Sequence, residues 1–172
     1  VHARRSRAAA EAVATEIASS GGTATVLLAD VSQEAEQESL IAKSWQWQGA
    51  VDVWVNNAGA DVLTGEAAGW SFERKLQELW TVDVTATMRL SRLVGQRMKA
   101  RGRGVILNTG WDQAETGMAG DSGELFAATK GAIMCFTRSL ARSLAPEVRV
   151  NCLAPGWIRT AWGDHASDYW QQ

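Results

Sequence analysis

The sequence predicts an α/β fold: a doubly wound parallel sheet with helices on both faces. Three observations predict it. Four short apolar stretches rich in β-branched residues read as strands, and stretches of helical periodicity separate them. These strands lack the apolar-polar alternation of a sheet with one wet face, so both faces are covered. No repeat, low-complexity tract or linker interrupts the alternation, so residues 1–172 read as one three-layer α/β/α domain.

The elements follow in order. Residues 7–19 are alanine-rich, with Ala9, Val13 and Ile17 on one face, and "SSGG" stops that helix. "TATVLLAD" is a buried strand ending at Asp30. Residues 32–47 predict a helix capped by Ser32, with acidic residues in its first turn. "AVDVWVNNAG" is a strand running into a turn. Residues 71–100 carry one long helical pattern through Leu76, Leu79, Trp80, Leu90, Leu93, Val94 and Met98, and Lys99 and Arg101 favour its C-terminus. "RGRGVILNTG" gives a glycine break and a strand. Residues 124–145 form a second long helix ended by Pro146, and "VRVNCLAPG" is the last strand. "GMAGDSG" at 117–123 has the wrong glycine spacing for a phosphate loop and reads as a flexible loop at the active site.

Composition narrows the function. The chain is 46% hydrophobic and 21% charged, which suits one globular domain with a real core. A net charge of -2 and a pI near 5.7 give no electrostatic case for nucleic acid or an acidic membrane. No apolar run approaches the roughly 20 residues of a membrane span. The start, "VHARRSRAAAEAVATEI", lacks the apolar centre of a signal peptide. Cys135 and Cys152 sit alone in apolar segments and read as buried free thiols in a reducing cytosol, with no metal site expected. Nine scattered tryptophans read as core and pocket filling.

Ligands of such sheets bind beyond the carboxyl ends of the strands. Those ends are Asp30 and residues 56–59, 108–112 and 155–160. In "NNAG", Ala58 and Gly59 are small enough for backbone to approach a ligand closely, and Asn57 would pin the turn; an ordinary asparagine turn has the same composition. Asp30 is either a ligand acceptor or a helix cap. "PGWIRT" is a proline-fixed loop able to present backbone.

In this order, these motifs resemble the short-chain dehydrogenase/reductase family of NAD(P)-dependent oxidoreductases. "ADV" at 29–31, "NNAG" at 56–59, "FAATKGA" at 126–132 and "NCLAPGWIRT" at 151–160 carry the resemblance, which spans essentially the whole chain. It implies a Rossmann-like fold and hydride transfer between the cofactor and a small-molecule carbonyl or alcohol. Asp30 and Val31 would then lie at the adenine and Asn57, Ala58 and Gly59 at the adenosine ribose. Pro155, Gly156, Ile158 and Thr160 would lie at the nicotinamide carboxamide. "HARRSR" falls beside the adenosine ribose, where arginine accommodates a 2′-phosphate. Arg4, Arg5 and Ser6 therefore point to NADP, with NAD possible; a solvated helix start is the bland alternative.

The resemblance also implies a catalytic set with departures. A tyrosine exchanges a proton with the substrate oxygen, and a lysine four residues later lowers its pKa and binds the nicotinamide ribose. A serine holds the substrate oxygen, and an asparagine anchors a water. Lys130 keeps its place, while Phe126 stands at the tyrosine position, Trp111 at the serine and Asp83 at the asparagine. Asp112 is a candidate replacement acid or base, or a solvated loop carboxylate. The only tyrosine, Tyr169, lies in the tail, where Trp162 and Trp170 join it as a candidate apolar lid. Two functions remain open: an NADP-dependent reductase or dehydrogenase with modified chemistry, and a dinucleotide-binding sensor or partner subunit without turnover.

The family's glycine-rich phosphate loop and its central first strand would precede Val1, and its last strand would follow residue 172. The expectation is a chain interior to a longer one, with a gap between the family's second and fourth strands. A cytoplasmic homo-oligomer, dimer or tetramer, is expected through the two long helices, whose small residues Ala127, Ala128, Gly131 and Ala132 permit close packing.

Overall fold

A computed structural model describes residues 1–156 and 158. Among the described residues five strands and five α-helices follow in the order β1 (His2–Ala3), α1 (Arg7–Ser19), β2 (Leu27–Leu28), α2 (Glu34–Gln48), β3 (Val53–Asn56), α3 (Phe72–Leu79), α4 (Thr87–Arg101), β4 (Gly104–Thr109), α5 (Asp121–Leu144) and β5 (Val148–Leu153). Every strand pairing among the described residues is parallel. The α/β class expected from the alternation is what the chain adopts.

The sheet is split. β3, β4 and β5 form one sheet in that order, with Val53 opposite Val105 and Ile106 opposite Val150. β1 and β2 form a second sheet, with His2 opposite Leu27. Among the described residues each of β1 and β3 has a hydrogen-bonded neighbour on one side only, and both line one cavity of about 700 Å³. Val53 and Val55 of β3 are 52% and 53% exposed, unusual for a parallel strand. Among the described residues β1 and β3 are not paired with each other. The long strand expected at 23–30 narrows to Leu27–Leu28 opposite His2–Ala3, with the Leu27 and Ala29 N–H groups donating to the Val1 and Ala3 carbonyls.

The main core lies between β4 and β5 and the helices α4 and α5. Val94, Met98, Ile106, Leu140, Leu144 and Val148 fill it, all under a tenth exposed. A smaller cluster of Val62, Leu79 and Leu125 sits beside the candidate site, with Phe126 against it. The C-terminal glycines Gly49 and Gly102 adopt φ of 77° and 82°, the left-handed cap that ends α2 and α4.

Several local expectations need correction. The helix expected over 71–100 is interrupted by a π-helical segment at Trp80–Ala86 between α3 and α4. Ser32 is not the cap of α2. Its hydroxyl and N–H both donate to Asp30 Oδ1, a tight local turn that leaves Gln33 at the cap position. The stripe of α1 is not covered: Val13 is 45% exposed and Ile17 36%. Cys135 is exposed on α5, and Cys152 is half-buried. Burial raises the Cys152 thiol pKa, outweighing the Thr137 hydrogen bond and the charge of Lys130. Among the described tryptophans none is fully buried, and Trp47 and Trp80 are largely exposed. No helix among the described residues is long and apolar enough to cross a membrane.

Residues 121–123, read from sequence as part of a flexible loop, are the first turn of α5. Gly123 is what allows it. A Cβ there would stand 2.5 Å from the Met118 carbonyl oxygen and 2.9 Å from its carbon. Both are backbone atoms, which cannot rotate away. Gly123→Ala is therefore expected to lower the stability of the fold by about 1–3 kcal/mol, measured by urea unfolding.

Candidate cofactor and active site

The candidate residues gather at the carboxyl ends of the strands in two groups. The first lines the cavity. Arg4 follows β1, Asp30 and Val31 follow β2, and Asn57, Ala58 and Gly59 follow β3; all six border the same space. Its volume falls within the roughly 300–1,000 Å³ of small-molecule sites. Arg5 and Ser6 are exposed at the start of α1, where the Ser6 side chain makes no cap. Arg4 stands 3.9 Å from Glu78, an exposed and loose pair that leaves the guanidinium free to meet another anion.

Asp30 is held as an acceptor. Partial burial pushes its carboxyl up. Hydrogen bonds from the Ser32 hydroxyl and N–H, aided by the Arg4 and Arg5 charges, outweigh that and leave it below its ordinary value. Its own N–H donates to Glu36 Oε2 at 2.6 Å. Asp30 thus stays an anion beside two arginines.

The second group centres on Lys130. Its ammonium lies 2.8 Å from Asp83 Oδ2, with the two side chains 14% and 1% exposed. Asp83 is carried by the π-helical segment, and its other oxygen accepts the Ala60 N–H at 2.8 Å. A Cβ on Gly59 would fall 3.2 Å from Asp83 Oδ2, so glycine lets the turn lie directly on the carboxylate. The 57–60 turn, the π segment and α5 are therefore tied through one carboxyl group.

Phe126, one helical turn before Lys130, meets Trp111 edge to face with ring centroids 6.5 Å apart. Both rings are half-buried. Asp112 is exposed, its N–H donates to the Pro155 carbonyl at 3.3 Å, and a Cβ on Gly156 would reach 2.7 Å from its Oδ2. The strand-end loops after β4 and β5 thus lie against each other. Ile158 is 64% exposed, and Thr160, Trp162, Tyr169 and Trp170 lie outside the described residues.

A buried polar network underlies both groups. Asn56 Nδ2 donates to Ser91 Oγ and to Asn108 Oδ1, each at 2.8 Å, and Asn108 Nδ2 donates to Thr137 Oγ1 at 2.9 Å. Trp54, in the cavity wall, donates from Nε1 to Asn56 Oδ1 at 2.8 Å. The network joins β3 and β4 to α4 and α5 just beneath the strand ends. Sequence reasoning missed it, along with Ala60 and Glu78. Only the two strand-end asparagines, Asn56 and Asn108, signalled it, because polar residues in apolar strands need partners.

The chain matches the short chain dehydrogenase family over residues 1–169, and it belongs to that family. Among curated proteins it is 33% identical to the short-chain reductase protein NovJ of Streptomyces niveus, over 91% of this chain and 58% of the relative. It is 31% identical to a 3-oxoacyl-[acyl-carrier-protein] reductase of Synechocystis, over 93% of this chain and 64% of the relative. Among solved structures it superposes on a gluconate 5-dehydrogenase from Burkholderia cenocepacia in complex with NADP and tartrate, with a TM-score of 0.81 and 26% identity. That match covers 98% of this chain and 66% of the other. A putative gluconate 5-dehydrogenase from Beutenbergia cavernae with bound NADP matches at 35% identity and a TM-score of 0.75, over 93% and 62% of the two chains. The chain spans about half to two-thirds the length of these relatives.

Proposed function

We propose that the protein is an NADP(H)-dependent oxidoreductase of the short-chain type, moving hydride between the cofactor and a small-molecule carbonyl or alcohol. The observation that carries this reading is the convergence of Lys130, the 57–60 turn and the Pro155–Gly156 loop at the carboxyl ends of parallel strands. The cavity beside them bears Arg4 and Asp30. Asn57, Ala58 and Gly59 would border the adenosine ribose, with Asp30 and Val31 at the adenine. Lys130 would hold the nicotinamide ribose, with Pro155, Gly156 and Ile158 against the carboxamide. Bound nicotinamide supplies or accepts the hydride. The NADP in the two structural relatives supports the same choice here.

Arg4 is the residue placed to meet a 2′-phosphate, since it lines the cavity and its partner Glu78 holds it loosely. A charge-assisted hydrogen bond to phosphate is worth about 1.5–3 kcal/mol. Arg4→Ala should therefore weaken NADPH binding about 10–100-fold while changing NADH binding little. A titration of both cofactors reads this; equal losses for the two would remove Arg4 from that role.

Proton transfer follows an altered route in this reading. Phe126 and Trp111 occupy the tyrosine and serine positions of the family, and neither ring carries a group that exchanges a proton near neutral pH. Asp112 follows Trp111 directly in the chain and is the carboxylate this reading assigns to proton transfer. The contact of Phe126 with Trp111 favours a second reading, in which the protein holds the dinucleotide with little turnover, as a sensor or partner subunit. NADPH binding measured beside reduction of a ketone panel separates the two. A second copy would pack on the helical stretches 71–100 and 124–145; on α5, Ala128 is exposed and Ala127, Gly131 and Ala132 are half-buried.

A further inference from the structure

We propose that Asp83 sets the redox-state preference of the nicotinamide site by cancelling the charge of Lys130. The inference rests on the cofactor reading above and deepens it. Lys130 and Asp83 form a nearly dry pair at 2.8 Å. The carboxylate is fixed from a second side by the Ala60 N–H, so the ammonium cannot shed its partner by a simple rotation of Asp83. The pair brings no net charge to the site.

Oxidised nicotinamide carries a unit positive charge on its ring; the reduced ring is neutral. A lone ammonium would repel the first and be indifferent to the second. The pair removes that bias, so oxidised cofactor binds better than it would beside Lys130 alone. Other charges drop out of the comparison. Asp112, at the Gly156 loop, is present throughout, and Arg4 and Arg5 face a phosphate-bearing end that is identical in both redox states.

The test uses four forms of the full natural chain: the native protein, Asp83→Asn, Lys130→Gln and the double variant. An asparagine at 83 keeps an oxygen for the Ala60 N–H, so mainly the charge changes. Dissociation constants for NADP⁺ and NADPH are measured for each by calorimetry, with circular dichroism as the check on folding. At an effective dielectric near 20, a unit charge about 12 Å from the ring shifts binding about tenfold and a nearer one shifts it more. The NADP⁺ to NADPH ratio of dissociation constants should rise at least about tenfold in Asp83→Asn and fall by a similar factor in Lys130→Gln. It should return near the native value in the double variant, where the charges again sum to zero. Should Asp83→Asn fail to fold, Lys130→Gln and the double variant still test the sign. A ratio that is flat across the forms, or that moves the same way in both single variants, overturns the proposal while leaving the cofactor reading intact. A native protein that binds neither nucleotide overturns the cofactor reading itself, and this proposal with it.

Discussion

Phe126→Tyr combined with Trp111→Ser is expected to raise reduction of a simple ketone by NADPH about 10²–10⁴-fold, the usual worth of a positioned general acid. Residue 126 sits on α5 one turn before Lys130, so a phenol introduced there would share a helix face with an ammonium. Trp111 is its edge-to-face neighbour, and replacing the indole by serine would supply a hydroxyl and open space for substrate. The single variant Phe126→Tyr should gain less, because the indole would still fill that space. Steady-state kinetics under saturating NADPH measure the effect. Turnover that stays at the native level in the double variant would place the proton route elsewhere, and Asp112→Asn would then be the variant that abolishes what activity exists.

Asn108→Ala is expected to destabilise the fold by about 2–4 kcal/mol. Asn108 is fully buried, accepts from Asn56 and Ser91, and donates to Thr137. Truncation removes all three hydrogen bonds and leaves polar partners without water to replace them; each such orphan costs about 1–3 kcal/mol. The expected loss matches that of emptying a well-packed apolar position such as Leu79. Urea unfolding followed by circular dichroism measures it, with the slope unchanged. A loss below about 0.5 kcal/mol would mean that the network carries no net stability. The consequence for function follows from position, because Asn56 and Asn108 lie directly beneath the loops that carry the candidate site.

The fold class was legible because apolar strands and amphipathic helices differ in period, and β3, β4, β5, α4 and α5 all lie where those periods placed them. Boundaries were less legible where tertiary contacts decide. Ser32 has the chemistry of a cap, yet its hydroxyl found Asp30 instead. The helix through 71–100 keeps its apolar stripe, but no propensity marks the π segment that presents Asp83 inward. Residues 121–123 read as loop because two glycines flank Asp121 and Ser122, whereas Gly123 is needed for its contact with the Met118 carbonyl. Cys135 shows the opposite failure: an apolar neighbourhood in sequence that lies on the solvent face of α5.

At the site, motif spacing placed Lys130 and the 57–59 turn, and it also pointed to Asp83. It could not show that Asp83 and Lys130 are ion-paired. An aspartate at 83, unlike an asparagine, can serve Lys130 as a counter-ion, and only proximity in three dimensions makes that matter. The cavity between β1 and β3 likewise depends on how two separate sheets face each other, which no local pattern encodes.

The proposed function has this family member hold NADP(H) through Lys130 and the strand-end loops with a phenylalanine, not a phenol, at position 126. Its most direct test titrates NADPH into the full natural chain and then follows loss of reduced-nicotinamide absorbance with a panel of ketones. The expected result is saturable NADPH binding, with turnover at least about a hundredfold below that of the Phe126→Tyr, Trp111→Ser variant. Native turnover equal to that of the variant, or no NADPH binding at all, would contradict it.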